Sequence, residues 1–89
     1  MARYIAVGEM PELEETKFRE AFNEFKKWRI DRQSWVIKAY WGKDHGKLVI
    51  ECETPERSRF EAWLAKTGWQ MNGIYQVDLI HEGGTIWTV

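Results

Sequence analysis

The sequence predicts an α+β fold of order β-α-β-β-α-β, an antiparallel sheet with both helices on one side. Three observations carry that expectation. Between residues 34 and 53, two short alternating runs flank the turn Lys43-Asp44-His45-Gly46, the pattern of a β-hairpin. An amphipathic stripe precedes the hairpin, and Thr54-Pro55-Glu56 follows it as a helix start. Short apolar runs at Tyr4–Val7 and Ile74–His81 supply a strand at either end.

Tyr4-Ile5-Ala6-Val7 is stopped by Gly8 and Pro11 and reads as a short central strand. From about Glu12 to Ile30, Leu13, Phe18, Ala21, Phe22, Phe25 and Trp28 recur at helical steps, predicting one long helix. Glu12, Glu14 and Glu15 crowd its start and Lys26, Lys27, Arg29 and Arg32 its end, each set matching the local sign of the helix dipole. In the hairpin, with strands near Ser34–Trp41 and Lys47–Glu53, folding about Asp44-His45 pairs Trp41 with Leu48, Ala39 with Ile50 and Ile37 with Cys52 on one face. The other face pairs Tyr40 with Val49 and Lys38 with Glu51. Thr54 is placed as N-cap and Pro55 at the first helical position, with Phe60, Trp63, Leu64 and Thr67 facing inward and Gly68 as the left-handed end. Ile74–His81 forms a fourth strand, and Gly83-Gly84 turns the chain into Thr85–Val89, pairing either within the chain or with a neighbour.

This order is the split βαβ pattern of ferredoxin-like folds, with a short extra C-terminal strand. The expected helix-facing set is Ile5, Val7, Ile37, Ala39, Ile50, Cys52, Tyr75, Val77 and Leu79. The opposite face then carries Tyr4, Ala6, Val36, Lys38, Tyr40, Val49, Glu51, Ile74, Gln76, Asp78 and Ile80. Such an apolar open face predicts a partner, and a second copy packed sheet to sheet makes a homodimer of the dimeric α/β-barrel type.

With 89 residues the chain is read as a single domain, 1–89, and six tryptophans concentrate its apolar area in large rings that must be covered. A net charge of −1 gives no field to draw nucleic acid or an anionic membrane, so neither is expected as a partner. One cysteine, no signal-like leader and no long apolar run predict a cytoplasmic protein.

The candidate ligand site is the open sheet face, where Tyr4, Lys38, Tyr40, Glu51, Trp69, Gln76 and Asp78 would converge among apolar walls. There Glu51 or Asp78 is a candidate base, with Lys38 or a tyrosine stabilising charge; the bland alternative is a cross-strand Lys38–Glu51 ion pair. His45 reads as a turn residue, and His81 lacks partners at metal-ligand spacing, so no metal and no cofactor are expected. Cys52 reads as a core thiol, and the basic run Lys26–Arg32 as dipole matching rather than a phosphate site.

Lys38-Ala39-Tyr40-Trp41, the turn to Gly46-Lys47, the strand to Cys52-Glu53, the helix to Thr67-Gly68 and Gly73-Ile74-Tyr75-Gln76-Val77 resemble a family of small ferredoxin-like proteins of unknown function that includes nickel-binding members. The resemblance spans roughly residues 34–78. Trp69 stands where that family has a histidine, so the resemblance implies the fold and the dimer but not the metal. The broader dimeric α/β-barrel group includes cofactorless monooxygenases and isomerases. The expected function is therefore a homodimeric small-ligand-binding protein, with a cofactor-independent enzyme or a ligand-free structural domain as alternatives.

Overall fold

A computed structural model describes residues 1–23 and 25–89; the side chains of Phe25 and Lys26, expected in the helical stripe and its basic end, lie outside the described residues. The elements are β1 (Ala2–Glu9), α1 (Glu15–Phe22), α2 (Phe25–Trp28), β2 (Arg29–Asp31), β3 (Ser34–Gly42), β4 (Lys47–Thr54), α3 (Arg57–Thr67), β5 (Gly73–Gln76), β6 (Leu79–Glu82) and β7 (Thr85–Thr88). The fold is α+β. Five strands make an antiparallel sheet in the order β2-β3-β4-β1-β5, and β6-β7 form a separate two-stranded ribbon. β2 and the ribbon go beyond a plain β-α-β-β-α-β arrangement.

The expected single helix is interrupted. α1 ends at Phe22, and Arg29–Asp31 pair with β3, Arg29 opposite Trp35 and Asp31 opposite Ser34. Once its backbone groups find a sheet edge, the helical spacing of Trp28 no longer decides the conformation of the residues after it. Arg29 and Arg32 therefore sit outside the helix whose end they were expected to complement.

Hairpin pairing follows the expected register from Lys38 to Gly42, with Lys38 opposite Glu51, Ala39 opposite Ile50 and Trp41 opposite Leu48. Below it a bulge at Ile37 puts Val36, not Ile37, opposite Cys52, so Val36 is buried rather than on the open face. At the turn Gly46 has φ +63°, and its carbonyl oxygen accepts a hydrogen bond from Met10 N–H (2.7 Å). A Cβ there would lie 2.6 Å from Pro11 Cα, so both the turn and the packed neighbour require glycine.

The facing of β1 is the reverse of expectation. Tyr4 pairs with Cys52 and Ala6 with Ile50, which puts both against the helices, where they are 8% and 0% exposed. Ile5 and Val7 take the opposite side, opposite Glu51 and Val49. In β5, Ile74 faces the core while Tyr75 points outward and is 60% exposed. The expected fourth strand breaks after Gln76: Val77 N–H still reaches Arg3 O (2.8 Å), but Leu79–Glu82 leave the sheet and pair with β7. Leu79 is consequently exposed, and Thr85–Thr88 pair within their own chain.

The core joins Tyr4, Ala6, Val36, Leu48, Ile50 and Cys52 to Phe60, Trp63 and Leu64 of α3. Fully burying one such side chain contributes about 1.5–3 kcal/mol. α3 ends as expected: Gly68 has φ +80°, and the N–H groups of Gly68 and Trp69 reach Ala65 O and Leu64 O. Thr67 is exposed, its hydroxyl donating to Trp63 O (2.7 Å). Thr54 is not the N-cap. Its buried hydroxyl bonds Ser34 Oγ (2.7 Å) and the Glu56 backbone, holding the turn one step before α3. α1 packs on the same sheet face by its rings, with Phe18 stacked on Trp41 and Phe22 on Trp69 (centroids 5.9 and 5.6 Å).

Candidate functional site

Strand register alone sets the composition of the face away from the helices. One row across it reads Lys38, Glu51, Ile5, Tyr75; the next reads Tyr40, Val49, Val7, Gly73. The second row is apolar, and the first sets the two charges of Lys38 and Glu51 beside Ile5 and Tyr75. A third row sets Trp35 beside Glu53 and Arg3, and the Arg3 guanidinium reaches Glu51 (3.3 Å) and Glu53 (3.9 Å). Arg29 lies over the Trp35 ring at 5.2 Å.

Lys38 and Glu51 are opposite one another as expected, yet each has a different ionic partner. Glu51 is engaged by Arg3, and Lys38 Nζ donates to Glu82 Oε2 at 3.3 Å. That hydrogen bond, followed by the charges of Tyr40, Glu82 and Glu51, holds the ammonium above its ordinary range against a small opposing effect of burial.

The Glu82 contact also locates the β6-β7 ribbon. It leaves the sheet beside β1, at the end of β5, and its tip reaches β3, three strands away. At about 4.8 Å per strand this is roughly 14 Å, so the ribbon lies across the open face as an arm. Gly83 and Gly84 turn it with φ +58° and +87°, the backbone a two-residue hairpin turn needs. Ile80 and Trp87 are paired on the Glu82 side of the arm, Ile80 half-buried and Trp87 38% exposed. Leu79 and Ile86 lie on the opposite side, each 67% exposed.

The seven candidate ligand residues are only partly assembled. Lys38, Tyr40 and Glu51 share the open face. Tyr4 is in the core, and Gln76, its cross-strand partner in β5, alternates to the helix side and is exposed. Asp78 precedes the arm, where its carbonyl accepts Val89 N–H (3.0 Å). Trp69 stacks on Phe22 among the helices. Glu51 and Asp78 thus do not form one acid–base pair with Lys38. Arg3 is the residue that sequence reasoning missed, although its position one step before Tyr4 placed it on the face opposite whichever side Tyr4 takes.

His45 and His81 are exposed, in the β3–β4 turn and on the arm. Among the described residues no three His, Cys, Asp or Glu side chains converge to hold a metal. Cys52 is fully buried, and desolvation, with lesser pushes from Asp31 and Glu53, raises its thiol to about 12, which makes it inert. No described helix is long and apolar enough to cross a membrane.

Among the described residues, grooves of 400 to 620 Å³ are bordered by α1 or α2. One of 620 Å³ runs between β2 and α3 and includes Trp69, the loop aromatic that the sequence singled out as a pocket residue. No protein-family model matches the chain, and neither a curated protein nor a solved structure matches it.

Proposed function

We propose that the chain works as a homodimeric small-ligand-binding protein, with the open sheet face and its arm as the seam between copies. One observation carries the dimer: Tyr40, Tyr75, Leu79, Ile86, Trp87 and Val89, six of the seven exposed large apolar side chains among the described residues, belong to this face or to the arm and its end. Together they expose on the order of 500 Å², near the upper end of the largest patch on a typical monomer, about 300–600 Å². Covering that area contributes about 10 kcal/mol per chain at ~25 cal/mol per Å², against association costs of about 4–15 kcal/mol.

The order β3-β4-β1-β5 with α1 and α3 on one side supports a ferredoxin-like reading of the central sheet, β2 and the arm being additions. Two such sheets face to face make a dimeric α/β barrel, and the arm of each copy would clasp the other. Arg3, Lys38, Glu51 and Glu53 then become a polar belt within the seam, which fixes register between copies more than it adds affinity.

Sedimentation of wild type and of Tyr40→Glu/Tyr75→Glu tests this. Wild type should sediment at twice the 10.6 kDa chain mass at micromolar concentration and the variant at the chain mass with unchanged circular dichroism. A wild type that stays at the chain mass up to ~100 μM, where even pairs with a micromolar Kd form, sinks the dimer.

A further inference from the structure

We propose that the groove between β2 and α3 is a site for a small organic anion with a flat apolar body, an aromatic carboxylate being the simplest member of the class. The proposal rests on a different face from the dimer seam and stands or falls separately.

The groove's charge departs from that of the chain. Among the described residues Lys27, Arg29, Arg59 and Lys66 border it against the single carboxylate Asp31, four positive less one negative, on a protein whose net charge is −1. Helix-dipole matching accounts for Lys66, which lies in the last turn of α3. It does not account for Arg29, on a strand, or for Arg59, in the first turn of α3, where a cation is unfavourable. Arg59 is held in place by Asp31 (3.6 Å), Glu56 (3.7 Å) and Gln33 (3.0 Å), which spends part of its charge. Lys66 makes no ion pair or side-chain hydrogen bond among the described residues, and Lys27 donates only to the Glu20 carbonyl (2.8 Å). These two lysines are the charges available to a ligand.

The walls supply the rest of the recognition. Trp63 stacks on Phe60 (6.3 Å) and Trp69 on Phe22 (5.6 Å), so both indoles are held by neighbours before any ligand arrives. Their edges, with Ile30 and Ala62, give an apolar lining. A volume of 620 Å³ falls within the range of about 300–1,000 Å³ that holds small organic ligands. An inorganic ion would leave that lining uncovered, whereas a flat ring carrying one carboxylate meets both the lining and the lysines. Asp31 sets orientation by repelling the carboxylate from the β2 end towards Lys27 and Lys66.

Nuclear magnetic resonance titration tests this with 2-naphthoate, its neutral analogue 2-naphthalenemethanol, and acetate. 2-Naphthoate should saturate, shift the amides of Ile30, Ala62 and Lys66, and bind about tenfold more tightly than the alcohol, with acetate weaker than both. Lys27→Gln/Lys66→Gln should lose about tenfold for 2-naphthoate and little for the alcohol, while Lys43→Gln in the distant hairpin turn changes neither. Equal affinity for acid and alcohol, unchanged binding by the double variant, or shifts confined to Ile5, Val49 and Tyr75 would each overturn the proposal. The acid-to-alcohol comparison uses wild type alone, so the test holds even if the double variant misfolds. Naphthoate binding by a strictly monomeric protein would leave this site standing while removing the dimer.

Discussion

On the helix side of the sheet Ala6, Ile50 and Cys52 are sealed from solvent, whereas on the opposite side Tyr40 and Tyr75 keep 55% and 60% of their surface exposed. The same strands supply both faces, and both carry apolar side chains. What differs is the cover. α1 and α3 bring Phe18, Phe22, Phe60, Trp63 and Leu64 down onto one face, and the other has only a ribbon of two four-residue strands with Leu79 and Ile86 turned outward. A half-solvated antiparallel sheet ordinarily alternates apolar with polar residues. Here Ile5, Val7, Val49 and Tyr75 break that rule, so the exposed face is better understood as unfinished than as solvated.

The largest expected contrast is between truncations on the two faces. Phe60→Ala should cost about 3–5 kcal/mol in urea denaturation, a large part of the roughly 5–15 kcal/mol that holds a domain folded. Tyr75→Ala should stay within about 0.5 kcal/mol when measured at a dilution that leaves single chains. Comparable losses at both sites would abolish the distinction between the faces.

The buried hydroxyl pair sharpens the helix side. Ser34→Ala alone leaves Thr54 without one of its partners at a site where both residues are 0% exposed, and should cost about 1–3 kcal/mol. Adding Thr54→Val should recover part of that loss in a double-mutant cycle, the remainder reflecting the Glu56 turn that Thr54 also holds. Additive losses would show that the two hydroxyls do not act as a pair.

Thiol labelling compares the faces directly. Cys52, fully buried with its thiol raised to about 12, should react with iodoacetamide at pH 8 only through opening of the fold, roughly a thousandfold slower than an exposed thiol. A cysteine introduced by Tyr75→Cys in a Cys52→Ala background should label quickly when dilute and slow as protein concentration rises. Quick labelling at every concentration would argue that nothing covers the open face.

The smallest effect belongs to Asp31. Desolvation pushes its carboxyl up, but hydrogen bonds from Gln33 and Ser34 and the charge of Arg59 together outweigh that and lower it below its ordinary value of 3.8. Its contribution to stability is therefore present above that value and lost as pH falls below it. Asp31→Asn keeps an acceptor for Gln33 N–H and removes the charge, so it should flatten acid destabilisation below about pH 4 and leave neutral stability within about 0.5 kcal/mol. An unchanged acid limb in a pH series of urea midpoints would rule that contribution out.

How much of this was legible in the sequence varied with the signal. From Lys38 to Gly42 the hairpin register was readable because a turn pinned it and alternation propagated it. Ile37 carried no mark of a bulge, so the facing of Val36 was lost. Tyr4-Ile5-Ala6-Val7 is apolar in both phases, and a one-residue choice of phase moves every side chain to the other face; only the pairing of Tyr4 with Cys52 decides it. Trp28 continued a helical spacing into residues that a sheet edge then claimed. The outward turn of Leu79–Glu82 was hidden because a departing ribbon and a fourth strand share one alternating pattern. For the groove, the signal was the basic run ending at Arg32, but its meaning depends on α3 lying beside β2, a juxtaposition that no local pattern encodes.

Isotope-filtered Overhauser spectroscopy on a mixture of labelled and unlabelled protein tests the open-face seam most directly. Contacts between copies should join Ile5, Val49 and Tyr75 of one chain to Leu79 or Ile86 of another. Intermolecular contacts arising only from α1 or α3, or none at millimolar concentration, would contradict the account.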